Sequence, residues 1–111
     1  KNVLALMSDA GLHVQFASDR DLRPTVPRMP KWTVKMLKPR NVVEMLHAGS
    51  RDVGFVGTDL IEELDASVQA VFDTRLDPVR IVVAAPPALL DAKQRLPRTR
   101  HLRVATEYER L

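Results

Sequence analysis

The chain has 111 residues, room for a single domain with a core of its own. Hydrophobic residues make up 45% and charged residues 28%, an ordinary globular balance, and the absence of cysteine excludes a disulfide framework or a thiolate site. A formal net charge of +3 suits an anionic partner, but aromatics are only 5% and the arginines are scattered, which argues against a nucleic-acid surface. No uninterrupted apolar stretch approaches the roughly 20 residues of a membrane span. No basic start is followed by an apolar signal core. The expectation is a cytoplasmic protein without membrane or nucleic-acid partners.

In chain order, Val3, Leu4, Leu6 and Met7 share one face of a helix that Ala10 ends and Gly11 stops. Beginning at residue 1 with no cap and no leading strand, it is expected to be a helix cut from a longer chain. Residues 12–16 alternate, with Leu12, Val14 and Phe16 opposite His13 and Gln15, as a half-buried strand does. Pro24, Pro27 and Pro30 confine 18–30 to extended or turn geometry. There Arg20 and Arg23 flank Asp21, either to hold a phosphate or as a solvated loop. Residues 32–37 read as the next strand, with Trp32, Val34 and Met36 on one face. Pro39 suits the first turn of a helix. Val42, Val43, Met45 and Leu46 form its buried stripe, and Gly49 ends it.

The stretch Asp52-Val53-Gly54-Phe55-Val56-Gly57-Thr58-Asp59 organises the rest. Residues 53–56 suit a buried strand whose glycine admits a close neighbour. Gly57 breaks the run, and Thr58 and Asp59 are both N-cap types. Asp59 with Glu62 makes a capping-box variant ahead of Leu60, Ile61 and Leu64. The junction reads either as an anion-facing strand–turn–helix or as a well-made loop and cap with nothing bound. Strands at 68–72 and 79–85 follow, then a weak helix at 88–96, a basic linker at 97–101 and a final strand at 102–106. This alternation predicts an α/β fold, an open mixed sheet with flanking helices.

Four stretches together resemble the catalytic part of the ATP phosphoribosyltransferase family. Leu37-Lys38-Pro39-Arg40-Asn41-Val42 is similar to the family's Leu-Arg-Pro-x-Asp-Ile. Asp52 to Asp59 is similar to Asp-Leu-Gly-Ile-x-Gly-x-Asp. Arg80-Ile81-Val82-Val83-Ala84-Ala85-Pro86 resembles Arg-Leu-x-x-Ala-x-Pro, and Arg103-Val104-Ala105-Thr106-Glu107-Tyr108 resembles Arg-Ile-Ala-Thr-x-Tyr. The resemblance implies a lobe of type II periplasmic-binding-protein kind. Residues 1–97 would be the first catalytic lobe without its leading strand, and 98–111 the crossover and first strand of a second. The family's phosphate loop for phosphoribosyl pyrophosphate is not among the stretches matched, so residues 1–111 alone are expected to be inactive. Lys38 replaces a usual arginine, turning a bidentate clamp into a point charge. Asn41 replaces an aspartate, and Arg75-Leu76-Asp77-Pro78-Val79 stands where the family has Gly-Phe-Gly-x-Cys.

The implied reaction is transfer of a phosphoribosyl group from phosphoribosyl pyrophosphate to N1 of ATP, the first step of histidine biosynthesis, with magnesium carried by the pyrophosphate. Such chemistry rests on positioning and charge neutralisation. The resemblance points to Arg20, Lys38 and Arg40 as phosphate contacts, Gly57 and Thr58 as backbone donors, and Asp59 as a cap or a contact to a ribose hydroxyl or base amine. No catalytic residue or metal ligand is assigned, and His13, His47 and His101 receive no role. A homo-oligomer or a complex with a regulatory subunit is the expected assembly. The alternative is a non-catalytic lobe of binding-protein type that holds a small anion or nucleotide.

Overall fold

The computed structural model describes residues 2–111, and its regular structure is helical. Helix α1 spans Val3–Asp9, α2 spans Pro39–His47 and α3 spans Thr58–Glu63, with a single 3-10 turn at Pro87–Leu89. The expectation of a helix reaching residue 1 lies outside the described residues at that position. The start of α1 is capped after all. Asn2 lies in extended conformation and its side-chain oxygen accepts the Ala5 N–H at 2.9 Å. Pro39 opens α2, where its missing N–H costs nothing.

All three helices close by the same device, a left-handed residue just past the end that turns two N–H groups back onto the last carbonyls. Gly11 (φ +77°) and Leu12 donate to Ser8 and Met7 at 2.9 and 2.8 Å, ending α1. Gly49 (φ +74°) and Ser50 donate to Leu46 and Met45, both at 3.0 Å, ending α2. Asp65 (φ 47°) and Ala66 do the same for α3, donating to Glu62 and Ile61 at 3.1 Å. Two of these stops are the glycines that the sequence marks; the third is an aspartate, which tolerates this region better than most side chains.

Among the described residues the expected open mixed sheet is absent, and with it the lobe of periplasmic-binding-protein kind. Among the described residues the β pairing is one isolated antiparallel bridge, Gln15 with Thr25, closed by N–H···O bonds of 2.8 and 2.9 Å. The stretches 32–37, 53–56, 68–72, 79–85 and 102–106 form no ladder. Alternating or continuous apolar residues favour an extended backbone, but a sheet also needs a second segment alongside to satisfy each N–H and C=O. Here no ladder joins these segments, and many of their apolar residues stay in water. Val71 is 92% exposed and Val83 is 90% exposed. The weak helix expected over 88–96 is likewise replaced, by the 3-10 turn and a loop gathered on Asp91. That carboxylate accepts the Lys93 and Arg95 N–H groups at 2.8 and 2.9 Å and the Arg95 Nε at 3.1 Å.

What core there is lies around α2 and α3. Val43 of α2 and Leu60 of α3 are buried and the two helices pack on each other, while Val26, in the connection before α2, is buried as well. Gly54 runs directly across α2, as the sequence led one to expect of a close neighbour. A Cβ there would lie 2.7 Å from Val42 Cγ1 and 3.1 Å from Leu46 Cδ1. The chain as a whole is drawn out, 61 × 28 × 26 Å with a radius of gyration of 19.1 Å, against about 13 Å for a compact domain of this length. Its accessible surface is 9890 Å², where about 6,200 Å² is usual for the mass. Among the described residues no helix is long and apolar enough to cross a membrane.

Candidate functional site

The first turn of α3 sits where the sequence places it, but with different chemistry at its start. Gly57, not Asp59, is the N-cap residue, and no side chain caps the turn. Asp59 therefore lies inside the helix at its second position, and the capping box with Glu62 does not form. The Asp59 carboxylate folds back towards Gly57, and its Oδ1 occupies the space that a Cβ on Gly57 would need. A carboxylate held there complements the positive end of the helix.

The other Asp59 oxygen, Oδ2, accepts the Tyr108 hydroxyl at 2.6 Å in a half-buried position. That hydrogen bond, then burial, then the negative charges of Asp59, Glu107 and Glu63, raise the Tyr108 phenol above its ordinary pKa. One turn further along α3, Glu63 is buried although charged, at 6% exposure. Its Oε1 accepts the backbone N–H of Glu109 and, at 3.1 Å, that of Arg110. Its Oε2 accepts Arg110 N–H at 2.9 Å and Leu111 N–H at 3.0 Å. Burial pushes the Glu63 carboxyl up. The three N–H groups, helped by the Arg110 charge, outweigh it and hold the carboxyl below the usual range. Arg110 also meets Asp65 at 3.2 Å on the surface.

The basic residues named from sequence are exposed. Lys38 is the N-cap residue of α2 and makes no side-chain cap. Arg40, in the first turn, pairs with Glu44 one turn on at 3.2 Å, with both side chains about half exposed. Arg20 lies in the turn closed by Asp21 N–H to Ser18 C=O at 3.0 Å. Asp21 is held by N–H bonds from Ala17 and Arg23, in that order of effect, which keep its carboxyl below the usual range against a small opposing effect of burial. Among the described residues no hydrogen bond or ion pair joins Arg20 to α2 or α3. Gly57, Thr58 and Asp59 share the start of α3, and among the described residues no hydrogen bond or ion pair joins Arg20, Lys38 or Arg40 to them. Among the described residues no three His, Asp or Glu side chains are grouped to hold a metal ion.

Sequence reasoning passed over Tyr108 and Glu63. Tyr108 belongs to a quoted motif, but its partner lies 49 residues away, and nothing local announces such a bond. Glu63 reads as the polar side of a short helix; only the arrival of residues 109–111 makes it a buried acceptor.

Comparison with known proteins matches the same stretches. The family model described as ATP phosphoribosyltransferase (HisG) covers residues 38–111, from the N-cap of α2 past Tyr108 to Leu111. An ATP phosphoribosyltransferase of Methanocella arvoryzae is 31% identical over 96% of this chain and 36% of its own length. One from Desulfitobacterium hafniense is 27% identical over 97% of this chain and 51% of its own. The chloroplastic ATP phosphoribosyltransferase 2 of Arabidopsis thaliana is 32% identical over 54% of this chain and 14% of its own. No solved structure matches at the same level of significance. The match over residues 38–111 places the chain in a family described by the name of a transferase. More particularly, it belongs to the ATP phosphoribosyltransferase family. It spans between about a third and a half of the length of the first two relatives.

Proposed function

We propose that the protein carrying this chain transfers a phosphoribosyl group to ATP as the first step of histidine biosynthesis. The observation that carries the reading is the family match over residues 38–111, which takes in three of the quoted motifs whole and all but the first residue of the fourth. In the reaction the adenine N1 lone pair forms a bond to the ribose C1 of phosphoribosyl pyrophosphate. The C1–O bond to pyrophosphate breaks, and pyrophosphate departs with that electron pair and with its magnesium ion. The protein's share is to align two polyanions and neutralise the leaving charge.

Arg20 and Arg40 are assigned to phosphate oxygens, Lys38 acts beside them as a point charge, and Gly57 and Thr58 offer backbone N–H. Asp59 is assigned to a ribose hydroxyl or the adenine amine through Oδ1, because Oδ2 is engaged by Tyr108. The reading carries with it a cytoplasmic location and a homo-oligomer or a complex with a regulatory subunit.

The test is incubation of the whole protein that carries this chain, not residues 1–111 alone, with ATP, phosphoribosyl pyrophosphate and magnesium, following phosphoribosyl-ATP by mass. Product is expected, and Arg40→Ala should lower kcat/KM by roughly 10–100-fold, the scale of one hydrogen bond to a charged group. ATP binding without product would favour a non-catalytic nucleotide-binding protein. Neither binding nor product would overturn both readings.

A further inference from the structure

Residues 108–111 meet α3 through side-chain and backbone contacts together. Three consecutive N–H groups converge on the Glu63 carboxylate, forming the concave donor array that binds anions elsewhere. The anion here is a side chain of the same molecule, and it is buried. A buried carboxylate is costly unless its lone pairs are filled; this one has both oxygens engaged. Asp59 lies one turn earlier on the same face of α3 and holds Tyr108. The Arg110–Asp65 pair adds a third point at the helix end.

We propose that residues 108–111 form a latch on α3 and that Tyr108 is a positioning residue for the Asp59 carboxylate. With Oδ2 tied to the phenol, Oδ1 is aimed over Gly57 in a fixed rotamer. The latch thus transmits the position of the 102–111 segment to the first turn of α3. The part concerning ATP rests on the function proposed above; the latch itself does not.

The test compares the wild-type protein with Glu63→Gln and Tyr108→Phe. Amide hydrogen exchange reads local opening independently of activity. Glu63→Gln replaces one acceptor oxygen with a donor that faces N–H groups, so exchange at Glu109, Arg110 and Leu111 should quicken by about tenfold or more. Tyr108→Phe keeps the ring and removes the donor, and should quicken exchange at Ile61, whose N–H bonds Gly57 C=O. Unchanged rates in both variants would overturn the latch. In steady-state assays Tyr108→Phe should raise the KM for ATP about tenfold with kcat within about twofold, the pattern of binding lost equally in ground and transition state. An ATP KM within about twofold of an active wild type would overturn the positioning role. A wild type that neither binds nor turns over ATP would sink the proposed function, and the exchange data alone would then decide the latch.

Discussion

Gly49 and Gly54 show how two glycines in one neighbourhood are required for different reasons. Gly49 needs its left-handed φ of +74°, and a Cβ there would meet open space. Gly49→Ala should therefore cost about 1–2 kcal/mol through backbone strain alone. Gly54 has no such φ, but its Cβ would strike Val42 and Leu46 on α2. Gly54→Ala should cost about 1–3 kcal/mol through overpacking. Urea unfolding of double variants separates the two causes. Val42→Ala should partly relieve Gly54→Ala, whereas its cost should add to that of Gly49→Ala within about 0.5 kcal/mol. Equal coupling in both pairs would refute the distinction. The candidate site was legible in the same uneven way. Gly57, Thr58 and Asp59 declare a helix start because turn and cap chemistry is local. Which of them caps was misread, since Asp59 turns instead to a tyrosine 49 residues away.

At the level of elements, α1, α2 and α3 were legible, whereas the helix expected over 88–96 did not form. Pro39 at the start of α2, and Gly11 and Gly49 past the ends of α1 and α2, are signals written into single residues. The stop of α3 was harder to read because Asp65 fills a position that glycine usually marks. The link between α3 and residues 108–111 gives this part of the molecule a defined pH response. Glu63 has a lower pKa folded than unfolded. It thus contributes stability that is present above the unfolded value, about 4.3, and is lost as pH falls through the folded value. Tyr108 is shifted upward, so its contribution is present below about 10 and is lost as pH rises through the folded value. Thermal unfolding between pH 7 and pH 3 should show a steeper loss for wild type than for Glu63→Gln. Part of the slope should survive in the variant, because Asp21 and Asp91 are also held low. Parallel pH profiles for the two proteins would remove Glu63 from the account.

For the whole molecule, periodicity in the sequence led to the wrong architecture, and the reason is physical. Residues 79–85 carry the continuous apolar run of a strand covered on both faces. That pattern specifies what the segment would bury, not whether another segment lies beside it. Here Val83 is 90% exposed and Val104 is 83% exposed, and the radius of gyration of 19.1 Å belongs to a drawn-out chain. The difference has a direct mutational signature. If these valines stood in a sheet core, replacing one by lysine would bury an unpaired charge and cost several kcal/mol. In this fold both positions face water, so Val83→Lys and Val104→Lys should each change stability by no more than about 0.5 kcal/mol. Val43→Lys is the contrast, since Val43 is fully buried in the packing of α2 on α3; it should abolish that packing. Urea unfolding monitored by helix content checks all three. Losses at residues 83 and 104 comparable to that at residue 43 would mean that the valines are covered, and would overturn the sheetless arrangement.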